Sequence, residues 1–250
     1  MPNRSTAVVL QGFDDDVGLD TATSQAILER VAAGDLPETF RISSPGRVLA
    51  FGRRDRLEPG FDDAVRAAHA LGFASVIRLP GGRAAVFHEG TISFSWTTPD
   101  PDPVRGIRRR FVETTEVLLN ALARLGVEAS VGEIPGEYCP GEFSVNAGGV
   151  IKLAGLGQRL TRGGAHVGGV LVVDGAGPIR EVLVPVYAAL GIDWDPTTVG
   201  AVSDVRPGID VPSVVDSLVQ TLTTRTTIVE SELDPATVDR AMGLAKRHVP

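Results

Sequence analysis

Apolar positions along this chain change period several times, and each change marks an element. From Leu19, the positions Ala22, Ala26, Ile27 and Val31 fall on one helical face, and Gly34 ends the pattern, so a helix is expected there. An apolar stretch at 7–10 and an acidic turn at 14–16 precede it. Residues 39–43 and 47–51 read as two short strands joined through Ser44-Pro45-Gly46, a tight connection. The alanine-rich face of Ala64, Ala67, Ala68 and Leu71 predicts a helix capped by Asp62 and stopped by Gly72. Residues 74–79 and 92–97 read as strands. Between them lies a Gly-rich passage, Pro80-Gly81-Gly82-Arg83-Ala84-Ala85-Val86-Phe87-His88. Ile107, Phe111, Leu118, Leu122 and Leu125 then keep helical spacing to Gly126, with Asp102-Pro103 as expected cap and first residue, and 127–131 is a short strand.

Further along, 143–147 alternates, Ala147-Gly148-Gly149 supplies turn chemistry, and an apolar run resumes at Val150, which together predict a β-hairpin. A helix is expected over 179–190, interrupted by Pro185, and another over 211–222; Asp234 opens a final amphipathic segment.

Composition narrows the function classes. The 250 residues are 43% hydrophobic, enough for a sizeable core. Lys and Arg total 24 against 31 Asp and Glu, a net charge of -7, which argues against nonspecific nucleic-acid binding. One cysteine allows no internal disulfide and suits a reducing compartment. No apolar run reaches membrane-spanning length and the N-terminus carries no signal-peptide core, so a cytoplasmic protein without membrane contact is expected.

The candidate chemistry lies between 133 and 173. Cys139 sits in a Pro- and Gly-rich loop between Tyr138 and Pro140, which favours a reactive thiol over a small buried hydrophobe. Lys152, thirteen residues on, would stand on the hairpin's second strand, where an ammonium can stabilise a thiolate or polarise an acyl carbonyl. On spacing alone, a strand-edge lysine that only reaches to water is the slightly better reading. Gly81 and Gly82, after a strand, let backbone amides approach a carboxylate, carbonyl or phosphate, although two glycines after a proline also make an ordinary turn. Two basic clusters stand out: Arg53, Arg54 and Arg56 in a loop, and Arg105, Arg108, Arg109 and Arg110 at a helix start, where cations oppose the helix dipole.

Lys152-Leu153-Ala154-Gly155, then Gly157-Gln158-Arg159 and a glycine-interrupted strand to Val173, resemble the lysine motif of the lipoate-protein ligase and octanoyltransferase family. The segment from Arg78 through Gly81 and Gly82 to His88-Glu89-Gly90-Thr91 resembles its arginine, double-glycine and histidine signature, with one residue more at Ala84-Ala85. A further departure is Gly168 before Gly169, where many members carry a histidine; His166, two residues early, is given no role. Cys139 resembles the nucleophile of the cysteine-type octanoyltransferases.

The resemblance implies an α+β fold, a mixed β-sheet flanked by helices, shared with biotin protein ligases, whose glycine-arginine-glycine loop is missing from 81–88. It implies one catalytic domain over 1–250, with its core at 20–205 and a helical segment at 206–250, without the accessory domain of many ATP-dependent ligases. The strand at 47–51 and the residues after it would border a hydrophobic acyl tunnel, and 199–205 would be the late serine-containing turn. Cys139 and Lys152 would be catalytic; Arg78, Gly81, Gly82, His88 and Gly155 would bind substrate, without metal. The implied partners are octanoyl-acyl carrier protein, whose acidic surface Arg105–110 could meet, or a lipoyl donor, with lipoyl domains of 2-oxoacid dehydrogenases or the glycine cleavage H protein as acceptors. A transferase would need no cofactor; a lipoate-protein ligase would need ATP and Mg²⁺. A noncatalytic lipoyl-binding relative also stays open.

Overall fold

In the computed structural model, which describes residues 5–13 and 16–250, strand β1 (Ser5–Val9) leads into helix α1 (Val17–Ala33). Asp14 and Asp15 of the expected acidic turn lie outside the described residues. Asp16 caps α1, its carboxylate accepting the Leu19 amide at 2.8 Å, and Gly34 closes it at φ 84°. Ala22, Ala26, Ile27 and Val31 are all buried, as their spacing predicts.

The two strands expected after α1 form, β2 (Thr39–Ser43) and β3 (Val48–Phe51), but they belong to different sheets. Residues 44–47 are therefore a crossover between layers. Helix α2 (Phe61–Ala70) starts from Gly60 rather than Asp62, which lies in its first turn and favours the helix through the dipole. Strand β4 (Ala74–Ile77) pairs parallel with β3, and β5 (Ala85–Phe87) pairs antiparallel on its other side, giving a three-stranded sheet.

Strand β6 (Thr91–Asp100) returns to the main sheet. Helix α3 (Ile107–Arg124) begins five residues after the expected cap at Asp102: the Asp100 carboxylate accepts the Asp102 amide, and a series of turns intervenes before Gly106 caps the helix. Strands β7 (Ser130–Val131), β8 (Val145–Ala147), β9 (Ile151–Thr161) and β10 (Gly163–Val172) follow. The predicted hairpin is β8–β9, with Ala147 opposite Ile151. Helix α4 (Ala176–Ala189) runs through Pro185, because burial of Ile179, Val182, Leu183, Val186 and Tyr187 outweighs one lost backbone bond. Then come α5 (Val202–Val205), α6 (Val211–Thr223), β11 (Thr227–Glu230) and α7 (Pro235–Leu244), the last capped by Asp234.

The main sheet has eight strands in the order β11-β1-β2-β6-β10-β9-β8-β7, with β1 parallel to both neighbours and the rest antiparallel. Its two faces differ in chemistry. One presents Phe40, Ile42, Ile92, Phe94, Trp96 and Leu171 to α3 and α6, where Leu118, Leu122, Val214 and Leu218 complete a core. The opposite face carries Arg41, Ser93, Ser95, Thr97, His166 and Gly168, placed side by side by the register and turned toward α1 and the small sheet. That polar face over an apolar sheet makes the site. Among the described residues no helix is long and apolar enough to cross a membrane.

Candidate active site

Cys139 has φ 44°, the one non-glycine residue at positive φ among those described. Such a backbone costs about 1–3 kcal/mol and persists only where its surroundings enforce it. Here they do. The Cys139 amide donates to the Tyr187 hydroxyl at 3.1 Å, which in turn donates to the Ala84 carbonyl at 2.9 Å. From below, Lys152 Nζ donates to the carbonyls of Tyr138 (2.9 Å) and Cys139 (2.8 Å) and to Glu137 Oε1 (3.1 Å). Glu137 also accepts the amides of Gly141 and Ile134 and the Ser144 hydroxyl. Lys152 and Glu137 are fully buried, so two charges that would each be costly alone neutralise one another beneath the loop.

Lys152 reaches this position through a β-bulge. Asn146 opposes Lys152 while Val145 opposes Ala154, leaving Leu153 as an extra residue that reverses the alternation. Lys152 therefore shares a side with Gly155, where an added Cβ would lie 3.1 Å from Lys152 Cε. Gly155 keeps the lysine's channel open.

The thiol itself meets other groups. Cys139 Sγ accepts from Arg78 Nη2 at 3.1 Å and from the Arg83 amide at 3.3 Å. Burial works to raise the thiol pKa, but the charges of Arg78 and Lys152, with the bonds from Arg78 and Arg83, outweigh it and leave the pKa below its ordinary 9.0. Gly82, at φ 104°, is the turn that permits this approach: a Cβ there would lie 2.1 Å from Arg78 Nη2 and 2.8 Å from Sγ.

Arg78 also lines a cavity between α1, the small sheet and the polar face of the main sheet. Val48, Ala50, Val76, Ala85 and Phe87 form its apolar wall; Ser93, Ser95, His166 and Gly168 form the other. Arg78 Nε is buried without a hydrogen-bond partner, an unmet donor at the junction of thiol and cavity. His166 is buried, with Nδ1 3.1 Å from Thr97 Oγ1, and desolvation pushes its pKa down to about 4, so the ring is neutral. Among the described residues no three His, Cys, Asp or Glu side chains converge to hold a metal ion.

The structure thus gathers Cys139, Lys152, Arg78, Gly82 and Gly155. Gly81 lies beside them, its amide donating to the Gln158 carbonyl of β9. His88 is elsewhere: Ala85 and Phe87 point into the cavity, so Val86 and His88 point away, and the His88 ring packs on Gly175 and accepts the Gly90 amide at 3.1 Å. The residues 53–56 are likewise absent from the cavity wall, which takes only Val48 and Ala50 of β3. At the start of α3, Arg110 is buried against Asp100 and Gln158, Arg108 pairs with Glu142, and Arg109 lies near Asp100 and Glu113. Sequence reading missed Glu137, Arg83 and Tyr187. Glu137, two residues before the cysteine, is one of three glutamates in that loop, with Glu133 and Glu142, and nothing in sequence sets it apart; Tyr187, forty-eight residues away on a helix, had no signal either.

Comparison with known proteins bears on the family and the fold. The family model described as the lipoyl protein ligase A/B catalytic domain matches residues 16–223. The octanoyl-GcvH:protein N-octanoyltransferase of Geobacillus kaustophilus is 31% identical over 201 residues, covering 80% of this chain and 69% of the relative. A relative of the same name from Bacillus velezensis is 32% identical over 187 residues, 74% of this chain and 65% of its own length. Of solved structures, a lipoate-protein ligase A bound with ATP superposes with a TM-score of 0.80 at 19% identity, covering 97% of this chain and 95% of that one. A bi-partite lipoate protein ligase from Thermoplasma acidophilum gives 0.76 at 18%, covering 97% and 92%. Identities this low speak to the fold alone, and the fold is that of lipoate ligase catalytic domains. With residues 16–223 matched, the chain belongs to the lipoyl protein ligase A/B catalytic-domain family.

Proposed function

We propose that the protein is an acyltransferase of lipoate metabolism, moving an octanoyl or lipoyl group through a thioester on Cys139 to the target lysine of a lipoyl domain. One observation carries this reading: Arg78 bonds the Cys139 thiol and also lines the cavity, so a nucleophile with lowered pKa stands where the carbonyl end of a cavity-bound acyl chain would lie. The relatives' names point to octanoyl-GcvH as donor. In the first half-reaction the Cys139 thiolate attacks the acyl carbonyl, the new C–S bond forms, and the carrier's lysine amine leaves as the C–N bond breaks and takes up a proton; a thioester donor would release its thiol instead. In the second, a deprotonated acceptor lysine attacks the Cys139 thioester and the thiolate returns.

Lys152 has all three protons engaged by Glu137, Tyr138 and Cys139, so it serves here as a positioning residue that holds the strained loop and lends its charge from beneath. The developing oxyanion falls to the Arg78 guanidinium, with its unpartnered Nε, and to the Arg83 amide. Gly81 and Gly82 keep that approach open. His88, behind β5, takes no part in this scheme.

The alternative is an ATP-dependent ligase, in which Arg78 and the open backbone at Gly81 would meet the nucleotide's phosphate oxygens and Cys139 would be incidental. Intact-protein mass spectrometry after mixing with octanoyl-GcvH, without ATP, separates the two. A hydroxylamine-labile octanoyl adduct is expected on the wild type and not on Cys139→Ala. An adduct on neither protein, with lipoyl-domain modification appearing only when ATP and free acid are supplied, would contradict the thioester route.

A further inference from the structure

Two clusters of arginines flank the site, and they differ in how far they are paired within the chain. At the start of α3, Arg108, Arg109 and Arg110 pair with Asp100, Gln158, Glu142 and Glu113, while Arg105 is exposed without an ion-pair partner among the described residues. The loop after β3 is built the other way round. Its acids face inward: Asp55, fully buried, accepts the Gly52 amide at 2.7 Å and pairs with Arg83 at 3.2 Å, while Glu58 pairs with the same Arg83 at 2.7 Å. Its cations, Arg53, Arg54 and Arg56, face outward, exposed and without an ion-pair partner among the described residues. Directly after them Leu57 is 83% exposed, the most exposed of the large apolar side chains among the described residues.

This loop is fixed to the catalytic turn. Gly52 passes so close to Gly82 that a Cβ would lie 1.8 Å from its carbonyl oxygen, and Gly82 in turn abuts Cys139 Sγ. Arg83, which donates its amide to the thiol, is the residue the loop's acids grip. Two more cations extend the patch from other elements. Arg159 of β9 lies beside Gly81 through its neighbour Gln158, and Arg247 precedes His248, whose ring holds the Ile77 carbonyl next to Arg78. The charge of Arg53 is felt at both Arg159 and His248. On a chain of net charge -7, a run of exposed, unpaired arginines on the loop that abuts the catalytic turn is a local reversal of sign.

We infer that this rim, Arg53, Arg54, Arg56 and Arg159 with the neighbouring Leu57, is the docking surface for the acyl-exchanging protein, an acidic domain that seats its lysine over Cys139. The inference rests on the acyl-transfer reading for what is exchanged, but docking can be measured without exchange. Opposite charge brings the partner in and orients it, and the exposed Leu57 adds an apolar contact beside the charges.

The test is the affinity of an apo lipoyl domain of net negative charge for the full chain, in the wild type, in Cys139→Ser, and in the triple variant Arg53→Glu, Arg54→Glu, Arg56→Glu. Wild type and Cys139→Ser should bind equally, and both should weaken as salt rises from low to physiological ionic strength. The triple variant should bind at least about tenfold more weakly at low salt and lose the salt dependence. Acylation of its Cys139 by a small octanoyl thioester should match the wild type, which reports an intact site and fold. Unchanged affinity in the triple variant, or a wild-type affinity indifferent to salt, would overturn the docking surface. Lost affinity in the triple variant, alongside a wild type whose Cys139 is never acylated, would instead uphold the surface and sink the thioester reading.

Discussion

The Cys139 loop and the His88 turn each hold a titratable side chain withdrawn from solvent at a bend, His88 fully buried and Cys139 half-buried. They differ in what surrounds that side chain. At His88, desolvation lowers the pKa with only a partial pull back from Glu89, and the ring stays neutral, packed on Gly175 with Nε2 unpartnered. At Cys139, desolvation would likewise favour the neutral form, yet Arg78 and Lys152 overrule it. Burial alone makes a group inert; burial beside converging opposite charge makes it reactive.

The contrast breaks most severely at Lys152. Lys152→Met would strand the Glu137 carboxylate in the interior and release the carbonyls of Tyr138 and Cys139, so a loss of roughly 3–5 kcal/mol in denaturant unfolding is expected, with transfer abolished. Arg78→Gln is next. It removes a charge-assisted bond to the thiol, and acylation of Cys139, followed by mass spectrometry at neutral pH, should slow by about tenfold or more while stability changes little. His88→Asn should be the mildest, leaving transfer intact. Its signature is in acid: because the folded-state pKa of His88 lies below its ordinary 6.5, the unfolded chain takes up the proton first, and stability falls as pH drops below 6.5. His166 acts in the same sense down to about pH 4, so the variant should lessen that fall without removing it, as urea midpoints between pH 7 and 5 would record.

Local signals were legible where one element decides its own geometry. Gly34 ends α1, Ala147-Gly148-Gly149 turns the hairpin, and Asp234 caps α7, because each acts on its own neighbours. Pairings set across the chain were not. Strand β11 is a short β-branched run, TIVE, that exists only because β1 accepts it in parallel, and 39–43 and 47–51 look alike in sequence while lying in separate sheets. The site divides in the same manner. Cys139, Lys152, Arg78, Gly82 and Gly155 carry motif signals and do meet, whereas the bulge at Leu153 that aims Lys152 downward, and the Tyr187 hydroxyl that holds the Cys139 amide, arise from packing. An extra residue at Ala84-Ala85 does not by its sequence fix which way His88 points; the strand phase does, with Ala85 and Phe87 in the cavity wall.

The most direct measurement of whether cations overrule burial at Cys139 is the pH profile of its alkylation, read by intact mass on the wild type and on Arg78→Gln. The wild-type inflection should lie below 9.0 and move upward in the variant. An inflection at or above 9.0 in the wild type, unmoved by the substitution, would mean that the thiol is as inert as His88 and that the thioester route fails.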